Sequence, residues 1–398
     1  MYKFSDELHK LPWFLHHGPC EQSQSPSQVV LSLVPDCLSV GTPSCPRPPV
    51  APLCHIPPSD AAQDAMDDQN SFQFGIEIEL LLGSRKKTHP NWKSLAKDLS
   101  KRLLKAGIAN HVNDSNDKSP DNYREWSIVQ EVTIPSQPGK NLCTSLPLPL
   151  QTPLTPPGGL ELVSPIYHIQ SYWAGDLTTI FSTLHSSFTL VASPHCSTHV
   201  HISGTPLPLS ASSLAALAKA ALYYEPALDL LVPSARRTST AYWCQSNRVS
   251  PAMRSLPSLA DCLSLIDAAS ASNSVRPVVE AMNLFPAASA YGRAHGKHRD
   301  FVRGKVYKWD FTGMLSGARG TVEFRQPSGS LEAEEAAAWV TLAAAFVAGA
   351  MAVGPSLGGE VGNGGATPEE LWGLLVSGGE MLGWESLGGV EGLFERAG

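Results

Sequence analysis

The chain has few charged residues, no closely spaced cysteine pair and no excess of basic residues. Charged residues make up 16% of its 398 positions, well below the usual quarter. The net charge of -7 gives no electrostatic attraction for nucleic acid, so we expect no nucleic-acid partner. The eight cysteines include no pair with CxxC spacing, which argues against a zinc knuckle or a dithiol redox site. We therefore expect reduced thiols in the cytosol.

An uninterrupted apolar run is also missing from the first residues, where Lys3, Asp6, Glu7 and Lys10 break the pattern, so we expect no secretion signal. Residues 336–353 carry no charge and approach the minimum length of a membrane-spanning helix. This segment is rich in alanine, and the acidic residues before it suit a helix that begins in water. We therefore predict a buried core helix, no membrane partner and a cytoplasmic location.

Composition predicts three regions along the chain. Residues 1–71 are rich in Pro and Ser and lack hydrophobic periodicity, which is typical of a disordered extension. Residues 72–356 carry the periodic segments of a folded catalytic domain. Residues 357–398 start with a Gly-rich linker and continue as a short helical segment, because Thr367, Pro368 and Glu370 form a capping-box pattern.

The periodic segments of the middle region do not alternate between strand and helix. Strands are expected at 74–82, 126–134, 159–163, 197–202, 305–312 and 320–326. Helices are expected at 92–106, 167–185, 210–231, 256–270 and 331–353. This order favours an α+β fold with a largely antiparallel sheet and helices on one face.

The first predicted strand carries two acids on one face. Successive strand side chains point to opposite faces, so Ile76 and Ile78 face a core while Glu77 and Glu79 point away from it. Neighbouring carboxylates repel each other unless water or a cation lies between them, and Mg²⁺ is commonly bound through carboxylates. By itself this pattern is equally typical of a solvated strand face.

The same division into an apolar and an ionisable face recurs on four more strands. Their ionisable residues are Glu131, Glu161, His199, His201, Glu323 and Arg325. A solvated sheet face would more often mix Lys, Thr, Ser and Gln. We therefore predict that the charged face of the sheet forms the active site.

Four segments follow one another in a distinctive order along the chain. They are Phe-Gly-Ile-Glu-Ile-Glu at 74–79, Glu-Leu-Val-Ser-Pro at 161–165, Cys-Ser-Thr-His-Val-His at 196–201 and Thr-Val-Glu-Phe-Arg at 321–325. They resemble the successive motifs of the amidoligase (carboxylate–amine ligase) family, and the resemblance covers roughly residues 72–350. It implies a glutamine synthetase-like catalytic fold, ATP and Mg²⁺ as cofactors, and small-molecule or peptide carboxylate and amine substrates.

The resemblance also implies a reaction in which ATP phosphorylates a carboxylate and an amine then displaces phosphate from the acyl phosphate. The implied metal ligands are Glu77, Glu79, Glu161, His199 and Glu323. The implied nucleotide contacts are His201, Arg303, Lys305 and Arg325. Arg325, which suits a transferring phosphoryl group, and Glu131 are the implied catalytic residues.

Two segments depart from the family's pattern. Glu131, Val132 and Thr133 stand where the family has Asp-Gly-Ser, and Ser197 and Thr198 replace a glycine between the Cys and the His. These departures keep open an inactive binding protein of the same fold. A further alternative is a metal-dependent hydrolase, in which His199, His201 and a glutamate hold zinc.

Overall fold

The computed structural model describes residues 71–115, 117–134, 158–237, 243–295, 301–303, 305–315, 320–359 and 361–396. The predicted disordered extension lies outside the described residues except for Ser71. The strands are β1 Ser71–Ser84, β2 Asn110–Val112, β3 Trp126–Gln130, β4 Gly158–Val163, β5 Tyr167–His168, β6 Phe188–Val191, β7 Thr198–Thr205, β8 Leu284–Pro286, β9 Phe301–Arg303, β10 Trp309–Asp310 and β11 Val322–Phe324. The α-helices are α1 Trp92–Lys105, α2 Ala174–Ser187, α3 Ala211–Tyr223, α4 Glu225–Leu230, α5 Leu259–Ser270, α6 Val275–Asn283, α7 Ala290–His295, α8 Ala333–Val353, α9 Pro368–Met381 and α10 Glu391–Glu395.

A nine-stranded sheet is built around β1. Its main order is β10-β11-β7-β1-β4-β3-β2, and β5 and β6 pair with β1 outside this path. Every pairing in this sheet is antiparallel except that between β2 and β3. A separate two-stranded sheet joins β8 and β9. The prediction of a mixed fold with a largely antiparallel sheet is confirmed, while its glutamine synthetase-like identity stays a prediction.

The apolar face of the sheet packs against helices. Ile78 of β1 is fully buried in one cluster with Leu99 of α1, Phe181 of α2 and Trp339 of α8. Because side chains alternate along a strand, the same strand turns its glutamates away from these helices. The helices therefore fix the position of a sheet whose other face carries the ionisable side chains.

Helix α8 lies at the centre of this core. Among the described residues it is the one helix long and apolar enough to span a membrane, yet 72% of its apolar window is buried inside the protein. Leu342 and Phe346 have no exposed surface at all. The predicted core helix is confirmed, and the cytoplasmic location stays a prediction.

The C-terminal helix α9 packs directly on α8. It starts with the predicted capping box, in which Thr367 and Glu370 exchange side-chain and backbone hydrogen bonds. A side chain at Gly378 would overlap the backbone carbonyl of Ala345, so the two helix backbones approach closely at this point. By contrast, a side chain at Gly373 of the same helix would meet nothing within 4 Å.

Tertiary contacts changed two of the predicted helices. The expected helix at 210–231 is divided into α3 and α4, with Pro226 in the first turn of α4. The expected helix at 167–185 begins only at Ala174, because Tyr167 pairs with Phe74 across β5 and β1 and stacks on it at 5.6 Å. Helix α6 was not predicted.

The expected strand at 305–312 is reduced to Trp309–Asp310. Residues before it bond to Gln245 instead of a neighbouring strand. The backbone N–H of Gln245 donates to Val306 at 2.7 Å, and the N–H of Lys308 donates to Gln245 at 2.9 Å. These bonds turn the chain so that Lys305 reaches the charged face of the sheet.

Two glycine substitutions in α9 should move stability in opposite directions. Gly378→Ala forces α9 and α8 apart, and we expect it to lower the free energy of unfolding by about 1–3 kcal/mol. Gly373→Ala meets open space and restricts the unfolded chain, so we expect a gain of about 0.4–1 kcal/mol. Urea unfolding of both variants at unchanged m-value measures the two effects. A loss of equal size at both positions would contradict the close helix contact.

Candidate active site

The charged face of the sheet is assembled by strand register. Glu77 of β1 lies opposite His199 of β7, and Glu79 lies opposite Glu161 of β4. On the far side of β7, His201 lies opposite Glu323 of β11. Paired residues on one sheet face are near neighbours, so side chains distant in sequence form one patch.

Glu77 is the centre of this patch. Its carboxylate oxygens lie 3.2 Å from Nε2 of His201 and 3.4 Å from Nδ1 of His199. Oε1 of Glu323 lies 3.5 Å from Nδ1 of His199 and 3.7 Å from Nε2 of His201. The two histidines therefore connect the carboxylates of β1 and β11.

Two cations compensate the acids at the β10–β11 end. Arg325 forms a short ion pair with Glu323, and Nζ of Lys305 lies 3.0 Å from the other carboxylate oxygen of Glu323. Lys305 also approaches Asp310 at 4.0 Å. Arg303 is exposed and donates to the backbone carbonyl of Leu315. The structure therefore brings Arg325 and Lys305 to the patch, and the role of Arg303 stays a prediction.

Electrostatic compensation keeps this end ionised. Burial disfavours the charged forms, yet His201 and His199 hold the pKa of Glu77 well below its ordinary value. Burial also opposes the charge on Glu323, but Arg325 and His201 keep the pKa of this carboxyl low. The pKa of Lys305 is raised by Glu323.

The two histidines differ in their electrostatic surroundings. Burial and the nearby Arg325 lower the pKa of His199 to about 4. Burial also disfavours the charged form of His201, but Glu323 and Glu77 outweigh it and raise the pKa of this imidazole. His199 is therefore the neutral imidazole of the pair, with a lone pair available for a metal ion.

The other end of the patch is a group of three acids with less compensation. One carboxylate oxygen from each of Glu79, Glu131 and Glu161 lies within 4.8 Å of the others. Burial and the charge of Glu131 raise the pKa of Glu79 to about 8. Burial and the charges of Glu77 and Glu79 raise the pKa of Glu161 well above its ordinary value. This end therefore holds protons or a cation.

The backbone around these acids is fixed by a buried arginine. Arg236 donates to the carbonyl of Cys196 at 2.8 Å and to the side chain of Ser197, and also to the carbonyl of Arg325 at 3.4 Å. The N–H of Ser197 in turn donates to Glu79 at 2.7 Å. Arg236 thus ties the start of β7 to the residue after β11.

The structure adds two buried residues, Asp310 and Lys308, that the sequence did not indicate as part of the site or its support. Asp310 is buried opposite Glu323, and the alternation around it in a predicted strand was the only available signal. Lys308 is also buried, with Nζ 3.2 Å from Glu225 and paired to Asp229. Gln326 donates to the same Asp229, so this network fixes the segment that follows Arg325.

An open cleft borders the patch on its β3–β4 side. Glu77 and Glu161 line it together with Ser127 and Val163 of the sheet. The segment between β2 and β3 contributes Asn113, Asp117, Lys118, Asn122 and Tyr123. This cleft places open space directly beside the carboxylates, where a substrate can reach them.

The donor atoms of the patch fit a hard divalent cation. Three groups each bring three ligand atoms within 4.8 Å. They are Glu77 with His201 and Glu323, Glu77 with Glu161 and His199, and Glu79 with Glu131 and Glu161. Carboxylate oxygens predominate in all three, which suits Mg²⁺. The five predicted metal ligands all occur in these groups.

We expect Glu79→Gln to change how stability depends on pH in the presence of a chelator. The folded pKa of Glu79 is about 8 against an ordinary 4.5, so the folded state retains a proton that the unfolded state releases between these values. Wild-type stability therefore falls as pH rises from 4.5 to 8, by up to about 1.4 kcal/mol per unit. Glutamine keeps an acceptor for Ser197 but has no proton to release, so the variant should lose stability less steeply.

Urea unfolding at several pH values across this window measures the difference. Glu385→Gln, at an exposed position, serves as the matched control. Parallel stability curves for wild type and Glu79→Gln would show that Glu79 titrates normally.

Comparison with known proteins is consistent with this geometry. No curated protein matches the chain significantly. A family model described as "Putative amidoligase enzyme" matches residues 70–347. The match runs from β1 into α8 and includes every residue of the charged patch, and it confirms the resemblance drawn from the sequence. The description indicates an enzyme of the ligase type. The chain belongs to this amidoligase family.

Proposed function

We propose that the protein is an ATP- and Mg²⁺-dependent carboxylate–amine ligase that works through an acyl phosphate. The observation that carries this proposal is the sheet face itself. Glutamates from four separate segments converge there, with an arginine and a lysine paired to Glu323 at one end. Phosphoryl transfer needs this combination, because it depends on positioning and charge neutralisation more than on covalent help from the protein.

The three ligand groups are the proposed Mg²⁺ sites. Glu77 belongs to two of them, which makes it the central ligand, and Glu161 also belongs to two. Mg²⁺ bound there would neutralise charge on the phosphates of ATP. The carboxylates and His199 would fix the position of the ion, and their own mutual repulsion would be relieved.

The β10–β11 end is the proposed phosphate site. Arg325 is nearly buried and its planar guanidinium suits phosphate oxygens, while Lys305 supplies a point charge beside it. The pairing of both with Glu323 holds them in place before a nucleotide binds. His201 lies between this end and Glu77, within reach of a phosphate group.

The proposed reaction has two steps. An oxygen of the acid substrate attacks the γ-phosphorus of ATP, the bond from that phosphorus to the bridging oxygen breaks, and ADP leaves. The amine nitrogen then attacks the acyl carbon, the bond from that carbon to the phosphate oxygen breaks, and inorganic phosphate leaves. The amine proton passes to Glu131, which is partly exposed and is predicted to be catalytic.

The departures from the family's pattern have structural roles that are compatible with activity. Ser197 donates its N–H to Glu79, and Oγ1 of Thr198 accepts from the N–H of Ser330 at 2.9 Å. Glu131 keeps its carboxylate beside Glu79 and Glu161. These contacts favour an active enzyme over an inactive binding protein.

The zinc hydrolase is less well supported by the geometry. Within the described part of the chain, His199 and His201 fall into different ligand groups, each with two carboxylates. Catalytic zinc sites more often combine two or three nitrogen or sulfur ligands. An oxygen-rich set beside two cations favours Mg²⁺ and a phosphorylated substrate.

The wild-type protein should release ADP from ATP only when Mg²⁺, an acid and an amine are all present. Glu77→Gln removes the shared ligand of two groups without changing side-chain size, so we expect ADP release to fall at least about a hundredfold. Glu385→Gln should behave as wild type. A coupled ADP assay with pools of amino acids, dicarboxylates and polyamines measures this. Tight zinc binding with no ADP release from any pool would favour the hydrolase instead.

Arg325→Lys should show whether the guanidinium acts on the transferring phosphoryl group. Lysine preserves the charge but loses the planar fork, so we expect kcat for ADP release to fall about 10²–10³-fold. Stabilisation of the protein by Mg²⁺-ATP, about 2.7 kcal/mol at a hundredfold excess over Kd, should change little. Equal loss of nucleotide binding and turnover would instead indicate a role in binding alone.

A further inference from the structure

Gly75 lies inside β1, where the described part of the fold does not require a glycine. Its φ lies outside the left-handed region, so its backbone conformation is open to other residues. Beyond its chain neighbours, a side chain there would meet one described atom within 4 Å, the hydroxyl oxygen of Ser164 at 3.7 Å. That distance is an ordinary van der Waals contact. Because a glycine inside a strand packs no side chain and loses much backbone freedom on folding, Gly75 weakens β1.

Two other glycines of the same sheet are required by their surroundings. A side chain at Gly159 of β4 would come within 2.8 Å of the backbone oxygen of Glu131. A side chain at Gly204 of β7 would come within 2.5 Å of the backbone oxygen of Leu207. At both positions another stretch of backbone fills the space that a side chain would need. Gly75 differs from them, because no described backbone fills its space.

The missing side chain of Gly75 leaves an opening in the charged face of the sheet. Gly75 precedes Glu77 by two positions, so both residues lie on this face, and Gly75 is partly exposed. Strand register places Gly75 opposite His201 of β7. The opening therefore has His201 on one side and Ser164 on the other.

The side chain of Ser164 is held away from this opening by the backbone. Its hydroxyl accepts from the N–H of Ile76 at 2.9 Å and donates to the carbonyl of Pro165 at 2.7 Å. Ser164 is also buried. Because its side chain cannot turn over Gly75 without breaking both hydrogen bonds, the opening stays clear before a ligand binds.

The opening lies in line with the proposed phosphate site. Gly75, His201 and Glu323 form one row across β1, β7 and β11. Two strand spacings separate Gly75 from Glu323, which is roughly 9–10 Å. Lys305 and Arg325 are paired with Glu323 at the far end of this row. This span is comparable to the length of a triphosphate chain, so the nucleoside end of a nucleotide held by these two cations reaches Gly75.

We infer that the nucleoside part of ATP lies against the bare backbone of Gly75, and that Gly75 is the residue that admits it. The inference rests on the proposed function and assigns the place of its nucleotide on the sheet. A glycine in a strand is typical of a site where a ligand approaches the backbone closely.

The polarity of β1 agrees with this direction. Along its charged face Glu77 is followed, toward the start of the strand, by Gly75 and then by Gln73, which is also partly exposed. The side chain of Gln73 carries both donors and an acceptor without a net charge, which suits the hydroxyl groups of a ribose. The face therefore changes from charged to neutral in the direction in which a nucleotide changes from phosphate to nucleoside.

The test compares the binding of Mg²⁺-ATP with that of Mg²⁺-tripolyphosphate, which has no nucleoside, to the full-length chain. Gly75→Ala places a methyl group where the nucleoside lies, so we expect Kd for Mg²⁺-ATP to rise about tenfold or more. Kd for Mg²⁺-tripolyphosphate should not change. Without a ligand, the urea midpoint of the variant should equal or exceed that of the wild type, because alanine meets open space and restricts the unfolded chain. Isothermal titration calorimetry and urea unfolding measure these quantities.

Two glycine variants serve as controls. Gly373→Ala, which also meets open space but lies in α9, should leave both Kd values unchanged. Gly204→Ala, at a glycine that the fold requires, should lower the urea midpoint.

Three results for Gly75→Ala would overturn the inference and leave the ligase proposal intact. They are a urea midpoint below that of the wild type, an unchanged Kd for Mg²⁺-ATP, and an equal rise in Kd for both ligands. If the variant loses affinity for Mg²⁺-ATP alone while the wild type releases no ADP with any acid and amine, the inference stands and the ligase proposal fails. A wild type that does not bind Mg²⁺-ATP overturns both.

Discussion

Repulsion between carboxylates on a desolvated sheet face is the constraint that the surrounding structure has to satisfy. Strand register places Glu77 close to Glu161 on one side and to Glu323 on the other, and burial makes each negative charge costly. At the β10–β11 end Arg325 and Lys305 offset this cost, and those acids stay ionised. Toward β4 there is less positive charge, and burial together with neighbouring acids raises the pKa of Glu79 and Glu161.

The rest of the fold keeps this arrangement in place. Helices on the apolar face hold β1 rigid through residues such as Ile78, and the buried Arg236 and Lys308 tie down the chain on either side of β11. None of these residues needs to touch a substrate. These supporting residues hold the backbone so that like-charged side chains stay adjacent. The charged side chains could not do this by themselves, because they repel one another. The charged side chains therefore reduce the stability of the strands that carry them, and the packing of the other face offsets this cost.

Much of the site could be predicted from sequence because it depends on period-two alternation. Glu77, Glu161, His199 and Glu323 each sit between apolar neighbours in a strand, so their common face followed from local pattern. The family's order of motifs then linked segments that the chain separates widely. The start of α2 was not predictable in this way, because the pairing of Tyr167 with Phe74 overrides local preference.

Contacts that depend on the conformation of loops could not be predicted from the sequence either. The ion pair of Lys305 requires the turn that Gln245 imposes, and Lys118 lines the cleft only because Asn113 and Asp117 fold their loop. Long-range hydrogen bonds determine these positions, and the local hydrophobic periodicity of the sequence carries no information about such bonds.

Apolar and ionisable side chains alternate along β1 and β7, and this alternation specifies the register in which the two strands pair. If either strand paired one position out of step, its glutamates or imidazoles would enter the helix-packed layer and its aliphatic side chains would face water. Such a species would lack both the packed core and the charged face. The Glu and His side chains come together only when the two strands pair in the correct register. A molecule with assembled ligand groups has therefore paired these strands correctly.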